Sequence, residues 1–183
     1  MEAAIDAGFS GVLLRASGIN WDLRKNCPYE VYNSLNFRVP VSTLGYSYAR
    51  YLLRMEEMRQ SVGLIFQCLN LMPAGLVGVE DYNISPVSKF NMIDSMELTI
   101  SRFKHYSENA YFGQTESYTC VESPKGEFGV FFVTDGFKLY RCAIRSPGYF
   151  HLQGLALFAK NSLLADLVTI IGSQDVVFGE IDR

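Results

Sequence analysis

The stretch Ser42–Met72, STLGYSYARYLLRMEEMRQSVGLIFQCLNLM, carries a long pattern of regularly spaced apolar residues. Its apolar residues recur at steps of three and four, which is the spacing of one face of an α-helix. They are Tyr48, Tyr51, Leu52, Met55, Met58, Val62, Ile65, Phe66 and Leu69. Ser42 or Thr43 can cap the start of this helix, and Pro73 and Gly75 stop it. The pattern predicts a long amphipathic helix.

A second helix and a small sheet follow along the chain. Apolar residues keep the helical spacing from about Val87 to Tyr106, directly after Pro86. Two long helices favour bundle packing. From Ser117 to Arg145 the pattern changes to short β-type runs separated by turn signals at residues 124–126 (PKG) and 135–136 (DG). This segment predicts a three-stranded antiparallel meander.

The last part of the chain predicts two shorter helices and a tail. His151–Lys160 and Ser162–Ile171 have helical patterns, and Gly172–Arg183 is predicted to be irregular. The tail contains Val176, Val177 and Phe178. Exposing each of these side chains would forfeit roughly 1.5–3 kcal/mol, so we expect the tail to dock.

The domain organisation follows from these segments. No repeat or linker divides the 183 residues. We therefore expect one α+β unit, mostly α, with long bundle helices and a small antiparallel β-meander. Its expected parts are a loop-rich opening at 1–41, a helical bundle part at 42–116, the β-meander at 117–145, and helices with a docked C-terminal tail at 146–183.

Composition disfavours several classes of function. The formal net charge of −3 gives no basic field for a nucleic-acid backbone, so no nucleic-acid partner is expected. No apolar run reaches the roughly 18 residues of a membrane-spanning helix. The opening Met1–Gly8 carries acidic residues and no apolar core, so it resembles neither a secretory signal nor a transit peptide.

Potential metal ligands are few and scattered. The chain has four cysteines, no C-x-x-C motif and two histidines: Cys27, Cys68, Cys120, Cys142, His105 and His151. Zinc ribbons and cubane iron-sulfur sites need clustered ligands. Ordinary reduced cysteines are therefore predicted, and no metal site is expected.

Three other polar groups allow a functional and a structural interpretation. Glu56 and Glu57 could be an acid/base pair, but the i, i+3 spacing of Arg54 and Glu57 favours a helix-surface ion pair. Residues 124–129 (PKGEFG) fit neither a Walker loop nor a dinucleotide fingerprint, so a hairpin turn is predicted. His151 could transfer a proton, but packing is the favoured role.

A series of short motifs runs in order along the whole chain. They are Gly8-Phe9-Ser10-Gly11-Val12, Trp21-Asp22-Leu23-Arg24-Lys25, Glu56-Glu57-Met58-Arg59-Gln60-Ser61, Ser95-Met96-Glu97, Pro124-Lys125-Gly126-Glu127-Phe128-Gly129-Val130, Ser146-Pro147-Gly148, and Gln174-Asp175 with Phe178-Gly179-Glu180. Together they closely resemble the forty-nine-kilodalton (subunit seven) family of NADH:quinone oxidoreductase, respiratory complex I. Several unrelated motifs in the right order are more specific than one.

The resemblance implies a fold and a site. That family is similar to the large subunit of nickel-iron hydrogenases, but the tail here lacks the cysteines that hold the metals. Carried over position by position, Asp175 and Val177 match residues implicated in quinone and inhibitor binding, and Phe178 is adjacent. These three are the candidate quinone-pocket residues. No residue is expected to be catalytic, and no cofactor is expected on this chain.

The resemblance also implies a role within a larger enzyme. The chain is expected to help form the ubiquinone reduction pocket beside the terminal iron-sulfur cluster, while the whole complex couples electron transfer from NADH to proton translocation. Iron-sulfur clusters and FMN are then held by neighbouring subunits. One alternative is a structural or assembly piece that keeps the fold without a working pocket. A hydrogenase-like metalloenzyme is disfavoured by the isolated cysteines.

The implied partners are the other peripheral-arm subunits, above all the terminal iron-sulfur-cluster subunit. The family's N-terminal half, with its Gly-Pro-Gln-His-Pro loop, does not occur in these residues. Because Met1 opens the chain in the middle of an otherwise continuous domain, we expect that half on a separate polypeptide. The expected location is the matrix side of the mitochondrial inner membrane, with no spanning helix.

Overall fold

The structure is a computed structural model that describes residues 2–75, 77–79, 81, 85, 87–108 and 111–182. Three residues named in the sequence predictions lie outside the described residues: Met1 at the opening, Pro86 before the second predicted helix, and Arg183 at the end.

Helices precede and follow a short run of strands. The helices are α1 Glu2–Asp6, α2 Gly11–Ala16, α3 Leu23–Asn26, α4 Ser47–Leu71, α5 Lys89–Asp94, α6 Met96–Ser107, α7 Pro147–Gln153, α8 Leu155–Phe158, α9 Leu164–Gln174 and α10 Phe178–Ile181. The strands are β1 Glu116–Ser123, β2 Gly126–Thr134 and β3 Leu139–Arg145, and they form a sheet in the order β1-β2-β3. The predicted α+β class and the antiparallel meander are confirmed.

The helix boundaries differ from the prediction at several places. The long helix α4 begins at Ser47 instead of Ser42, because Gly45 adopts a φ of 67°, outside the helical region. The second predicted helix is two helices, since Ser95 between α5 and α6 is extended, with φ −146° and ψ 128°. The opening, predicted to be loop-rich, contains α1 to α3. These helices have four to six residues, too few for a clear period.

The end of the chain is more helical than predicted. The predicted helix at His151–Lys160 is divided between α7 and α8, and Gly154 separates them. The helix α9 continues to Gln174, three residues beyond the predicted end. The tail, predicted to be irregular, contains α10.

The described residues fall into two compact units. The first comprises the described residues of Met1–Leu71, Thr119–Val130 and Ile144–Arg183, and the second those of Met72–Tyr118 and Phe131–Ala143. The division crosses the three strands. That residues 1–183 form a single unit stays a prediction.

The helix α2 is the centre of the first unit, and every one of its residues is buried. Leu13 and Leu14 pack with Phe9 and Ala4, while Val12 and Ala16 pack against Leu53 of α4. Each fully buried side chain of this size contributes roughly 1.5–3 kcal/mol. The helix is therefore held on two sides by apolar contacts.

A buried ion cluster surrounds Arg15 on α2, whose side chain is 2% exposed. Its guanidinium binds Glu57 of α4 at 2.7 Å and Glu122 of β1 at 2.8 Å, and it lies 3.8 Å from Asp22. Burial disfavours the charged form, but the carboxylates outweigh it and raise the pKa of Arg15. The cluster ties three elements of the first unit together.

The turn between β1 and β2 is pressed against the start of α2. A Cβ on Gly11 would lie 2.7 Å from the Cα of Gly126, and a Cβ on Gly126 would lie 2.5 Å from the Oγ of Ser10. The backbone N–H of Glu127 donates to the same Oγ at 3.0 Å. Both glycines have positive φ, 63° and 137°, so side chains are excluded by space and by backbone conformation.

His151 on α7 is fully buried in the first unit. Its Nε2 accepts from the backbone N–H of Ser10 at 3.4 Å, and its ring meets Phe9 edge to face. Burial lowers the pKa of His151 to about 4; the Ser10 contact partly opposes this, and nearby arginines, Arg54 first, add to it. The ring is therefore neutral at pH 7, and its full burial against Phe9 agrees with the predicted packing role.

The second unit holds α5, α6 and parts of the three strands. Ser88 caps α5 by accepting from the backbone N–H of Asn91 at 3.3 Å. Arg102 of α6 donates to the carbonyl of Val87, which is buried. The hydroxyl of Thr134 donates to the carbonyl of Gly113 at 2.7 Å. These polar contacts fix the start of α5, the approach of α6 to Val87 and the end of β2.

The apolar stripes that predicted the long helices face outward. On α4 only Ala49, Arg50, Leu53 and Leu64 are buried. The exposed large apolar residues of α4 are Tyr48, Tyr51, Leu52, Met58, Val62, Ile65, Phe66, Leu69 and Leu71. On α5 and α6 the exposed ones are Phe90, Ile93, Met96, Ile100, Phe103 and Tyr106. The helices are amphipathic as predicted, and many large apolar residues of their stripes are exposed.

We predict that Arg15→Met destabilises the chain by about 4 kcal/mol, because it leaves buried carboxylates without their cation. Urea unfolding of the purified chain measures this. Arg59→Met is the matched control, since its i, i+3 pair with Glu56 is exposed to solvent and screened. Equal losses in the two variants would contradict the structural role of the Arg15 cluster.

We predict that His151 makes stability fall as pH is lowered from about 6.5 to 4. Over that window the unfolded chain binds a proton that the buried ring of the folded chain does not bind. The free energy of unfolding therefore falls by about 3 kcal/mol. Unfolding curves at several pH values should show this slope in the wild type and in His105→Gln, and a shallower one in His151→Gln. The same slope in all three chains would rule out His151 as its source.

Candidate functional site

Asp175 ends α9 and lies at the centre of the candidate site. It adopts the left-handed conformation with φ 55° and ψ 49°, and its backbone N–H donates to the carbonyl of Gly172. Aspartate is among the few non-glycine residues that visit this region. Gln174, directly before it, is fully buried. The position of Asp175 is thus set by the end of α9 and by the burial of the residue before it.

Two cations flank the carboxylate of Asp175. The Nζ of Lys125 donates to its Oδ1 at 2.9 Å and to its backbone carbonyl at 3.1 Å. The Nε of Arg54 lies 3.9 Å from the Oδ2, an ion-pair distance that is too long for a hydrogen bond. The Asp175 side chain remains 42% exposed. It can therefore still meet a ligand.

A cavity of about 460 Å³ lies beside Asp175 in the first unit. Its walls come from the first turns of α4 and the last turns of α9: Ser47, Tyr48, Tyr51, Arg54, Thr169, Gly172, Ser173 and Asp175. The rings of Tyr48 and Tyr51 stack with centroids 6.2 Å apart. Flat aromatic walls with one carboxylate and one guanidinium suit a planar ligand that has polar groups on its edge.

Two arginines support the α4 side of the cavity. Arg50 is buried, donates to the Oγ of Ser173 at 2.8 Å and to the carbonyl of Gly45 at 3.2 Å, and lies over the ring of Phe158. Burial lowers the pKa of Arg50, and the charge of Arg54 lowers it further. Burial also lowers the pKa of Arg54, although Asp175 and Glu57 oppose this. The site is locally rich in positive charge.

Val177 and Phe178 are placed differently from Asp175. Val177 is 43% exposed and Phe178 is 67% exposed, and neither belongs to the lining of the 460 Å³ cavity. The tail is held at Glu180, whose Oε1 accepts from the Oγ of Ser146 at 3.1 Å. The structure therefore puts Asp175 in the cavity and leaves the two apolar candidates open for contact. Their assignment to a quinone pocket stays a prediction.

The sequence does not identify the two cations of the site. It places Lys125 in a hairpin turn, which is correct, but the contact of Lys125 with a residue 50 positions away leaves no local pattern. The spacing predicts that Arg54 pairs with Glu57 on the same helix. The ion-pair partners differ from that prediction, because Glu57 binds Arg15 at 2.7 Å and Arg54 lies 3.9 Å from the Asp175 carboxylate.

Within the described residues, no three side chains of His, Cys, Asp or Glu gather where they could hold a metal ion. All four cysteines are free. None of the described helices combines the length and the hydropathy that crossing a bilayer requires.

Comparison with known proteins identifies the family. The model of the family described as "Respiratory-chain NADH dehydrogenase, 49 Kd subunit" matches residues 1–183. The chain is 58% identical to the NADH-ubiquinone oxidoreductase 49 kDa subunit of Reclinomonas americana and 56% identical to that of Acanthamoeba castellanii, in each case over 100% of this chain and 46% of the relative.

A bacterial relative has the same relation to the chain. An NADH-quinone oxidoreductase subunit of Wolbachia pipientis wMel is 53% identical over 100% of this chain and 47% of its own length. The chain therefore spans about half the length of the curated relatives it matches. With a family match over every residue, the chain belongs to the 49 kDa subunit family of respiratory-chain NADH dehydrogenase, complex I, and corresponds to its C-terminal half.

Proposed function

We propose that this chain forms part of the ubiquinone reduction pocket of a respiratory NADH:ubiquinone oxidoreductase, with Asp175, Val177 and Phe178 at the pocket. The observation that carries the proposal is the family match over the whole chain, which includes the tail. Within that family assignment, Asp175 is the candidate that lies in a cavity and keeps an exposed carboxylate.

The chemistry of the cavity suits a quinone headgroup. Its volume of about 460 Å³ lies within the roughly 300–1,000 Å³ of small-molecule sites. A headgroup is a flat ring with two carbonyl oxygens, so aromatic walls can pack on its face and Arg54 can donate to an oxygen. A flanking carboxylate can orient or stabilise the group that protonates the reduced ring.

The chain's own contribution is shape and electrostatics. Reduction of ubiquinone to ubiquinol takes two electrons and two protons, and in this proposal iron-sulfur clusters and FMN of neighbouring subunits supply the electron path. The whole complex couples this transfer to proton translocation. Charged groups held rigidly around the ring lower the barrier because they need little reorganisation during the reaction.

The uncovered face of α4 supports the proposed partners. Nine large apolar residues are exposed on this one helix, and clustered exposed apolar residues mark interaction sites. The relatives are about twice as long as this chain, so their other half has the length to cover such a face. We propose that this half and the other peripheral-arm subunits, above all the terminal iron-sulfur-cluster subunit, pack there.

The family assignment supports two further elements of the proposal. The fold is related to the large subunit of nickel-iron hydrogenases, without its metal-binding cysteine motif in the tail. The chain works at the matrix side of the mitochondrial inner membrane, held there by its partner subunits.

We predict that Asp175→Asn in the assembled complex lowers NADH:ubiquinone reductase activity by at least about tenfold, because it removes the charge and keeps the shape. Oxidation of NADH by ferricyanide, which needs only the electron-entry part, should be unchanged. The matched control is Asp166→Asn, an exposed carboxylate at the other end of α9. Wild-type quinone kinetics in Asp175→Asn would refute the pocket assignment.

We predict that Phe66→Asp weakens recovery of the other complex I subunits with a tagged copy of this chain, since it puts a charge on the apolar face of α4. The measurement is quantitative mass spectrometry after mild detergent extraction. Ser61→Asp is the control, as an exposed polar position on the same helix. Undiminished recovery with Phe66→Asp would show that this face is not the interface.

A further inference from the structure

We infer that Lys125 is a positioning residue for the quinone site, acting through Asp175. This rests on the proposed function and deepens it. Two contacts carry the inference, because the same ammonium group binds the Asp175 carboxylate at 2.9 Å and the Asp175 backbone carbonyl at 3.1 Å. A cation that holds both atoms fixes the side chain and the backbone of one residue together.

The helix end gives this contact its physical reason. The last carbonyls of a helix have no partner within the helix and carry partial negative charge. Asp175 adds a full negative charge at the same place, in the left-handed conformation that aspartate adopts more readily than most residues other than glycine. Lys125 offsets both negative charges, since its ammonium group donates to the backbone carbonyl and to the carboxylate of Asp175.

The position of Lys125 is itself fixed. It sits in the β1–β2 turn, where the Oγ of Ser123 donates to the carbonyl of Gly126 at 2.7 Å. This turn packs closely against the start of α2. Gly126 lies against Gly11, and the backbone N–H of Glu127 donates to the Oγ of Ser10. Lys125 is only 24% exposed. A side chain on a locked turn is a more exact anchor than one on a free loop.

Lys125 leaves one carboxylate oxygen for the cavity. It takes the Oδ1, whereas the Oδ2 is 3.9 Å from the Nε of Arg54, beyond hydrogen-bond distance. Arg54 lines the cavity together with Asp175. The two cations therefore have different roles. Lys125 holds Asp175 in place, and Arg54 lies beside Asp175 in the wall of the cavity.

The test is a double-mutant cycle in the assembled complex, with steady-state ubiquinone kinetics normalised to FMN content. We expect Lys125→Met to lower kcat/KM for ubiquinone about tenfold and Lys125→Arg to restore most of it, because arginine still donates to a carboxylate. In the Asp175→Asn background, Lys125→Met should have almost no further effect. Lys160→Met, at an exposed lysine, should match the wild type.

The outcomes separate the two proposals. If Asp175→Asn is impaired and Lys125→Met is not, the positioning role is refuted and the pocket stands. If the effects of Lys125→Met and Asp175→Asn multiply, or if Lys125→Arg fails to restore activity, Lys125 does not act through Asp175. If Asp175→Asn is unimpaired, the pocket assignment fails and the positioning role fails with it. Should Lys125→Met not assemble, the cycle with Lys125→Gln decides by the same criteria.

Discussion

The buried charge of Arg15 is the constraint on which the first unit depends. A guanidinium with 2% exposure is tolerable only where carboxylates and carbonyls satisfy its donors, and here Glu57, Glu122 and the carbonyl of Trp21 do so. These partners come from α4, from β1 and from the loop before α3. Because removing either carboxylate leaves charge uncompensated in the interior, α4 and β1 are fixed around α2, and the Trp21 carbonyl joins the loop before α3 to the same guanidinium.

The candidate site inherits its geometry from that arrangement. With β1 tied to Arg15, the β1–β2 turn reaches the start of α2, where the contact of Gly126 with Gly11 leaves no space for a side chain on either residue. The turn presents Lys125 to Asp175, and α4 presents Arg54 to the same carboxylate. One buried ion cluster thus supports both cations of a partly exposed carboxylate, which is a preorganised electrostatic site.

What the sequence can predict follows the range of the interactions. The long helix, the three strands and the turns between them are encoded by nearby residues, and local patterns identify them correctly. The partners of Glu57 and Asp175 lie 42 and 50 residues away, so the local i, i+3 rule gives Arg54 the wrong carboxylate. The break at Ser95 escapes prediction because the apolar period continues across it.

The candidate site is predictable only in part, because its contacts join distant residues. The family motifs locate Asp175, Val177 and Phe178, whereas the cavity and the contact of Lys125 require the folded chain. The outward-facing stripe of α4 identifies an apolar face and does not say whether this chain or a partner covers it.

The proposed quinone site places the tail from Asp175 to Phe178 in contact with the quinone. Photoaffinity labelling of the native complex with an azido-ubiquinone, followed by peptide mapping, tests it most directly. We expect label on this chain, on the peptides around residues 48–54 and 175–178, and loss of that label when excess ubiquinone competes. Competable label confined to other polypeptides would refute the proposed contact.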